Sequence, residues 1–192
     1  MKVMGLTGGI ATGKSTVSQL LIDRGYEVID ADAVVHELQA AGSPILAKIA
    51  AEFGDSVLLG CGSLDRRALG QIIFNDTGAR HKLEALMHPA VRAEFERRID
   101  QSTSDVLFLD VPLLFEAGFD VLTTVNLVIS ASQENQLQRL MERDGMTESQ
   151  AQARIRSQMP MSEKVARGDV VIENDGDLDE LEENVEQFLR GI

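Results

Sequence analysis

The sequence predicts an α/β protein, with a parallel sheet of about five strands between two helical layers. Three observations predict it. Short apolar runs recur at 2–7, 27–30, 106–111, 125–129 and 169–173, continuous rather than alternating, as in strands buried on both faces. Segments with helical periodicity separate them. A glycine-rich turn, Gly8-Gly9-Ile10-Ala11-Thr12-Gly13-Lys14-Ser15, directly follows the first run and opens a helix.

Taken in order, the run 2–7 reads as a buried strand, and after the turn Val17, Leu20 and Leu21 recur at helical spacing until Gly25 stops them. Glu27-Val28-Ile29-Asp30 is a second strand, ending in Asp30-Ala31-Asp32 at a strand-to-helix turn, and a helix follows through Val35 and Leu38. The stretch 43–100 contains helices and no strand. Ser43-Pro44 is a helix start, a capping serine and then proline at the first helical position. Ile45, Ile49 and Phe53 share a face, 54–62 is a loop, Leu69, Ile72 and Ile73 mark another helix, and Leu83, Leu86, Met87 and Val91 a further one carrying His88-Pro89. His88-Pro89 is read as a helix start or a substrate contact. A strand-free stretch inside an α/β pattern reads as a helical insertion at the sheet edge.

The alternation then resumes with strands at 106–111 and 125–129, and Ser132 caps a helix whose core face is Leu137, Leu140 and Met141. Arg139 and Arg143, four apart, share the other face. Thr147-Glu148-Ser149-Gln150 is a capping box opening a helix with Arg154 and Arg156. The last strand, 169–173, precedes an amphipathic helix with Leu178, Leu181, Val185, Phe188 and Leu189 on one face. The expected organisation is one domain, with a core of 1–40, 101–135 and 168–192, a helical insertion at 41–100 and a lid at 136–167.

Composition narrows the function classes. The single cysteine, Cys61, excludes an intrachain disulfide and fits a reducing, cytoplasmic setting. The longest apolar stretch, 106–119, is broken by Asp110 and Glu116, so no membrane span is expected, and no signal peptide is read. The net charge of −13 argues against duplex nucleic acid as partner. The charge is uneven: 173–186 holds eight acidic residues and no basic one, whereas 139–167 holds six basic against four acidic. A local cationic patch steers anions whatever the total.

The turn fits G-x-x-x-x-G-K-[ST] at every defined position, with the strand before it and the helix after it that the pattern needs. Its glycines permit tight turning, its successive N–H groups form an anion nest ahead of a helix N-terminus, Lys14 reaches the outer phosphates and Ser15 offers a hydroxyl to Mg²⁺. Phosphoryl transfer needs such a cradle, a metal, charge neutralisation and an oriented acceptor. Arg139, Arg143 and the basic segment to Lys164 supply the third part, unless they are a solvated face paired to neighbouring acids. Asp32 is the candidate base for an acceptor hydroxyl, although Asp30 or Asp32 caps the next helix and spacing does not say which. Asp110 is either a metal-holding carboxylate or an ordinary strand-end aspartate. His36, His81 and His88 lack metal-ligand spacing, and Cys61 has no activating partner.

The chain resembles the dephospho-CoA kinase family. The resemblance rests on Leu6-Thr7-Gly8-Gly9-Ile10-Ala11-Thr12-Gly13-Lys14-Ser15-Thr16, Val28-Ile29-Asp30-Ala31-Asp32, Leu64-Asp65-Arg66-Arg67-Ala68-Leu69, His88-Pro89, Val111-Pro112-Leu113-Leu114-Phe115-Glu116, Gln136-Leu137-Gln138-Arg139-Leu140, Arg143-Asp144 and Val171-Ile172-Glu173-Asn174-Asp175-Gly176. It implies a P-loop NTPase-type fold, and transfer of the γ-phosphate of ATP, with Mg²⁺, to the 3′-hydroxyl of dephospho-CoA. It implies Asp32 as the catalytic aspartate, with Lys14 and Arg143 beside it. It implies residues 8–16, Arg139, Asn174 and Gly176 at ATP, the last two by the adenine. It implies Arg66 in the CoA-binding part. From the residues themselves, His88 is a candidate substrate contact and Ser15 and Asp110 are the candidate metal ligands, and no obligate protein partner is evident. The sequence departs from the family pattern at Ala11-Thr12, where Gly-Ser is usual, and at Asp110, where some members carry an apolar residue. A nucleoside or nucleotide kinase would differ only in acceptor. A switch or sensor of the same fold is disfavoured by the absence of Asn-Lys-x-Asp and Asp-x-x-Gly.

Overall fold

The apolar runs form five strands, β1 (Lys2–Gly8), β2 (Glu27–Asp30), β3 (Val106–Asp110), β4 (Val125–Ser130) and β5 (Val170–Glu173), in a computed structural model describing residues 1–192. They make one parallel sheet in the order β2-β3-β1-β4-β5. Parallel strands need crossover connections, and helices supply all but the β3–β4 link: α1 (Lys14–Asp23), α2 (Ala31–Leu38), α3 (Pro44–Phe53), α4 (Arg66–Asn75), α5 (Thr77–Gln101), α6 (Gln133–Asp144), α7 (Glu148–Arg156) and α8 (Met161–Arg167), with α9 (Leu178–Leu189) following the last strand. The register pairs Leu6 with both Asp110 and Leu127, Gly8 with Ile129 and Ser130 with Glu173. The strands therefore release their polar residues along one edge, the edge at which such sheets bind ligands.

The chain divides into two compact units, one of 1–29 with 102–192 and one of 30–101. The sequence placed the start of the helical part at residue 41. The division instead falls at the end of β2, so α2 belongs with the helices that follow it.

In the sheet unit, Met4, Leu6, Phe108, Leu127, Ile129 and Ile172 pack against Val17 and Leu21 of α1 and Leu181 and Val185 of α9. Each such side chain contributes about 1.5–3 kcal/mol by leaving water. Tyr26 meets Phe108 edge to face at 5.5 Å. Leu178, assigned to this face by periodicity, is exposed because it sits in the first turn of α9, beyond the sheet's reach.

In the helical unit the helix starts are set by side chains. Asp30 accepts from Asp32 N–H at 2.8 Å, Ser43 from Leu46 N–H at 3.0 Å, and Asp65 from Arg67 and Ala68 N–H at 3.0 Å. Leu58 and Leu64 form an isolated antiparallel bridge, and the unit holds no strand of its own beyond the residue that closes β2. The 25-residue α5 runs through Pro89, so His88-Pro89 is not a helix start. Proline removes one backbone donor there, but Met87 and Val91 on either side are buried and hold the helix together. Glu94 bridges Arg97 and Arg98 on the same helix, and the Arg97 hydrogen bond holds its carboxyl down at about 2.

Two features of the sheet unit depart from simple periodicity. On α6 the buried residues are Gln136 and Leu140, whereas Met141, expected in the core, is 39% exposed. Gln136 is buried because Gly9 lies against it: a Cβ on Gly9 would come within 2.7 Å of Gln136 Nε2 and of Met161 Cε. On α8, Lys164 is 0% exposed; its ammonium donates to the Pro112 carbonyl at 2.9 Å and to the Glu116 carboxylate at 2.8 Å. The lysine that sequence assigned to a phosphate-facing cationic segment instead pins α8 to the loop after β3. Arg167 reinforces the pin, its guanidinium 4.5 Å from the centre of the Phe115 ring and 3.1 Å from Asp120.

Two outcomes are expected in urea unfolding. Glu116→Ala leaves a buried ammonium without its counter-charge and lowers stability by about 3 kcal/mol, whereas the double variant with Lys164→Met recovers much of that loss; equal losses in both would sink the buried-ammonium account. Ala11 has φ +59°, the one positive value outside glycine, a conformation that costs a side-chain-bearing residue about 1–2 kcal/mol. Ala11→Gly relieves this strain against a smaller entropic penalty and should be neutral or stabilising by up to about 1 kcal/mol. A clear loss of stability would contradict the left-handed backbone.

Candidate active site

The glycine loop owes its shape to contacts on its carbonyl side. Gly13 has φ +90°, and a Cβ there would overlap the carboxamide of Asn174, so only glycine fits. Asn174 Nδ2 donates to Thr12 O at 2.8 Å. Arg139 donates to Asn174 O at 2.9 Å and to Ala11 O at 3.4 Å. Thr12 closes the turn internally, its hydroxyl donating to Gly9 O at 2.9 Å. Peptide planarity turns these contacts into donor orientation: a carbonyl held outward sends the next N–H the other way. The N–H groups of Ala11, Gly13, Lys14 and Ser15 make no hydrogen bond within the protein, whereas that of Ile10 donates to Gln158 Oε1 at 2.8 Å. Four unspent donors at a helix N-terminus are an anion site.

Lys14 leaves the loop at the first residue of α1, and its ammonium contacts the Asp110 carboxylate. Asp110 is 5% exposed, held at the end of β3 opposite Leu6. The pair keeps the ammonium beside the nest. Ser15 stands exposed in the first helical turn, and the N–H of Thr16 is spent on Gly13 O at 3.0 Å. No group of three or more His, Cys, Asp or Glu that could hold a metal exists. The residues present still fit Mg²⁺, which keeps several waters and takes most other ligands from substrate phosphates. The protein would offer such an ion one hydroxyl, Ser15, and one carboxylate, Asp110.

The remaining sequence-assigned residues are placed as follows. Arg143 is exposed and forked onto Asp144 at 2.7 and 2.9 Å. Gly176 follows Asp175, whose carboxyl is held below its usual range by the Ser132 N–H at 2.7 Å, so the turn after β5 is tied to the start of α6. In the helical unit, Asp30 is the α2 cap, which leaves the Asp32 carboxylate exposed and without an ion pair in the first turn. Arg66 is exposed at the start of α4, and His88 lies half-buried on α5. Asn174 and Arg139, expected at ATP, brace the loop from behind; their donors go to protein carbonyls. Sequence reasoning missed Gln136 and Gln158. A glutamine between two short helices carries no local pattern that marks it.

Family comparison agrees with this geometry. A family model described as dephospho-CoA kinase matches residues 2–180. A dephospho-CoA kinase of Symbiobacterium thermophilum is 48% identical over 99% of this chain and 81% of its own. A crystal structure from Thermus thermophilus superposes with a TM-score of 0.85 at 36% identity, covering 100% of this chain and 97% of the other. Dephospho-CoA kinase from Campylobacter jejuni superposes at 0.75 with 30% identity, covering 98% and 95%. A parallel sheet with its glycine loop braced from behind, and a match running from the second residue almost to the end, lead to one conclusion: the chain belongs to the dephospho-CoA kinase family.

Proposed function

We propose that this chain transfers the γ-phosphoryl group of ATP to the 3′-hydroxyl of dephospho-CoA, giving CoA and ADP, the last step of coenzyme A synthesis. The observation that carries the reading is the row of loop N–H groups without protein acceptors beside the Lys14 ammonium, in a chain of this family. The loop holds the triphosphate. Lys14, released in part from Asp110, follows the charge on the transferring group. Asp32 accepts the proton of the acceptor hydroxyl, a role its exposed and unpaired carboxylate permits. Arg66 and His88 bind the acceptor, Arg143 exchanges Asp144 for phosphate oxygens, and Arg139, Asn174 and Gly176 bound the nucleotide end. Mg²⁺, held through Ser15 and Asp110, would neutralise charge between the outer phosphates. Transfer of this kind is mostly positioning and charge compensation. Cytoplasmic residence is part of the proposal, in keeping with the exposed free thiol of Cys61; no helix is long and apolar enough to cross a membrane.

An ADP-release assay with dephospho-CoA, adenosine and AMP as acceptors tests the reading. Turnover confined to dephospho-CoA is expected; preference for adenosine or AMP would make the chain a nucleoside or nucleotide kinase. Lys14→Ala should lower kcat about a thousandfold by removing the charge that tracks the phosphoryl group, and near-normal turnover would exclude that role. Asp32→Asn keeps the shape and loses the basicity, so kcat should fall about a hundredfold or more with ATP affinity unchanged. A change in ATP affinity alone would move Asp32 out of the proton-accepting role.

A further inference from the structure

One side chain of the segment 136–167 takes a loop N–H. Gln158, in the link between α7 and α8, accepts from the Ile10 N–H through Oε1 at 2.8 Å. The orientation of this carboxamide is forced, because a backbone N–H has only a proton to offer and the atom facing it must be the oxygen. The amide nitrogen Nε2, on the same carbon, therefore remains a donor beside the loop. It has no acceptor in the protein, and no buried side-chain nitrogen or oxygen in the molecule lacks a partner, so Nε2 reaches solvent. The residue is held in place rather than hanging free. Met161 Cε and Gln136 Nε2 close over Gly9 on one side, Met159 N–H donates to Glu116 at 3.4 Å, and Lys164 fixes α8 to the same glutamate.

The loop also has a direction. The N–H groups of Gly13, Lys14 and Ser15, at the helix end, cradle the inner phosphates, and Lys14 extends to the outer ones. Ile10 lies toward the other end of the turn, four residues before Lys14. A donor anchored at Ile10 is thus anchored at the outer-phosphate end.

We propose that Gln158 is a phosphate-binding residue: its Oε1 is seated on the Ile10 N–H, and its Nε2 donates to the outermost phosphate of the bound nucleoside triphosphate. This rests on the nucleotide-binding part of the function above and not on the identity of the acceptor. The role predicts discrimination between ATP and ADP, which a merely structural tether would not give.

The test is calorimetric titration of the full chain with MgATP and with MgADP, for wild type, Gln158→Met and Gln158→Glu. Methionine keeps the length and loses both polar atoms. Glutamate keeps an acceptor for Ile10 but replaces the donor with a negative charge. Gln158→Met should weaken ATP about tenfold, as for one hydrogen bond to a charged group, with ADP changed less than about twofold. Gln158→Glu should weaken ATP further, with ADP again little changed, because the added charge faces only the third phosphate. Equal losses for the two nucleotides would make Gln158 a tether only and overturn the proposal. No loss in either variant, or tighter ATP binding after removal of the side chain, would overturn it too. A wild-type chain that binds ATP but does not phosphorylate dephospho-CoA sinks the acceptor assignment while these titrations still decide the role of Gln158. A wild-type chain that fails to bind ATP sinks both.

Discussion

The site depends on how peptide planes are held in one turn of chain. A row of N–H groups can face an anion only if the carbonyls on the reverse side are satisfied, since buried polar groups without partners are costly. Here Thr12 O is taken by Asn174 and Ala11 O by Arg139, while Gly9 O accepts from Thr12. Asn174 follows the last residue of β5, and its own N–H is paired to Ser130 O at the end of β4. The brace is thus carried by the sheet, and a ligand meets donors already aimed. That preorganisation matters in phosphoryl transfer, where fixed dipoles at the developing charge outweigh anything that must reorganise during the reaction.

The Lys14–Asp110 pair puts a second condition on the same place. An ammonium with little solvent contact is unfavourable alone, and the carboxylate at the end of β3 compensates for it. The cation thereby stays in position, and the arriving triphosphate brings negative charge to a lysine already partly neutralised. A magnesium-bearing nucleotide would bring its own positive charge to offset the carboxylate. This also gives a physical reason for an aspartate at position 110, where the family pattern admits apolar residues.

Much of this was legible in the sequence, for identifiable reasons. Buried parallel strands are continuous apolar runs, so all five appeared. The glycine pattern is short and fixed in spacing, and the caps at Ser43, Ser132 and Thr147 are local hydrogen bonds that a few residues specify. What stayed hidden depended on distant parts of the chain. Met141 is exposed and Gln136 buried because α6 turns the Gln136 side chain onto Gly9, more than a hundred residues earlier. Lys164 looked like a surface cation until Glu116 and Pro112 enclosed it. Pro89 suggested a boundary because local chemistry favours one, and burial on both sides of it kept the helix whole. The choice between Asp30 and Asp32 as cap was open in the sequence because both spacings are allowed; the backbone at Asp30, extended with φ −84° and ψ 120°, decides it.

The segment 136–167 has fixed and free parts. α6 is rooted by Leu140 and Gln136, and α8 by the buried Lys164 ammonium, paired with Glu116 at the surface. Between them α7 buries only Ala151, begins beyond a left-handed turn at Gly145 and ends before Pro160. Elements with little buried apolar surface open at low cost, whereas one that seats a buried ammonium on its partners does not. Displacing α7, with Arg154 and Arg156, would therefore leave the loop's own supports untouched. In a segment built this way the middle is the least anchored part, and the contacts that orient the phosphate donors do not depend on it.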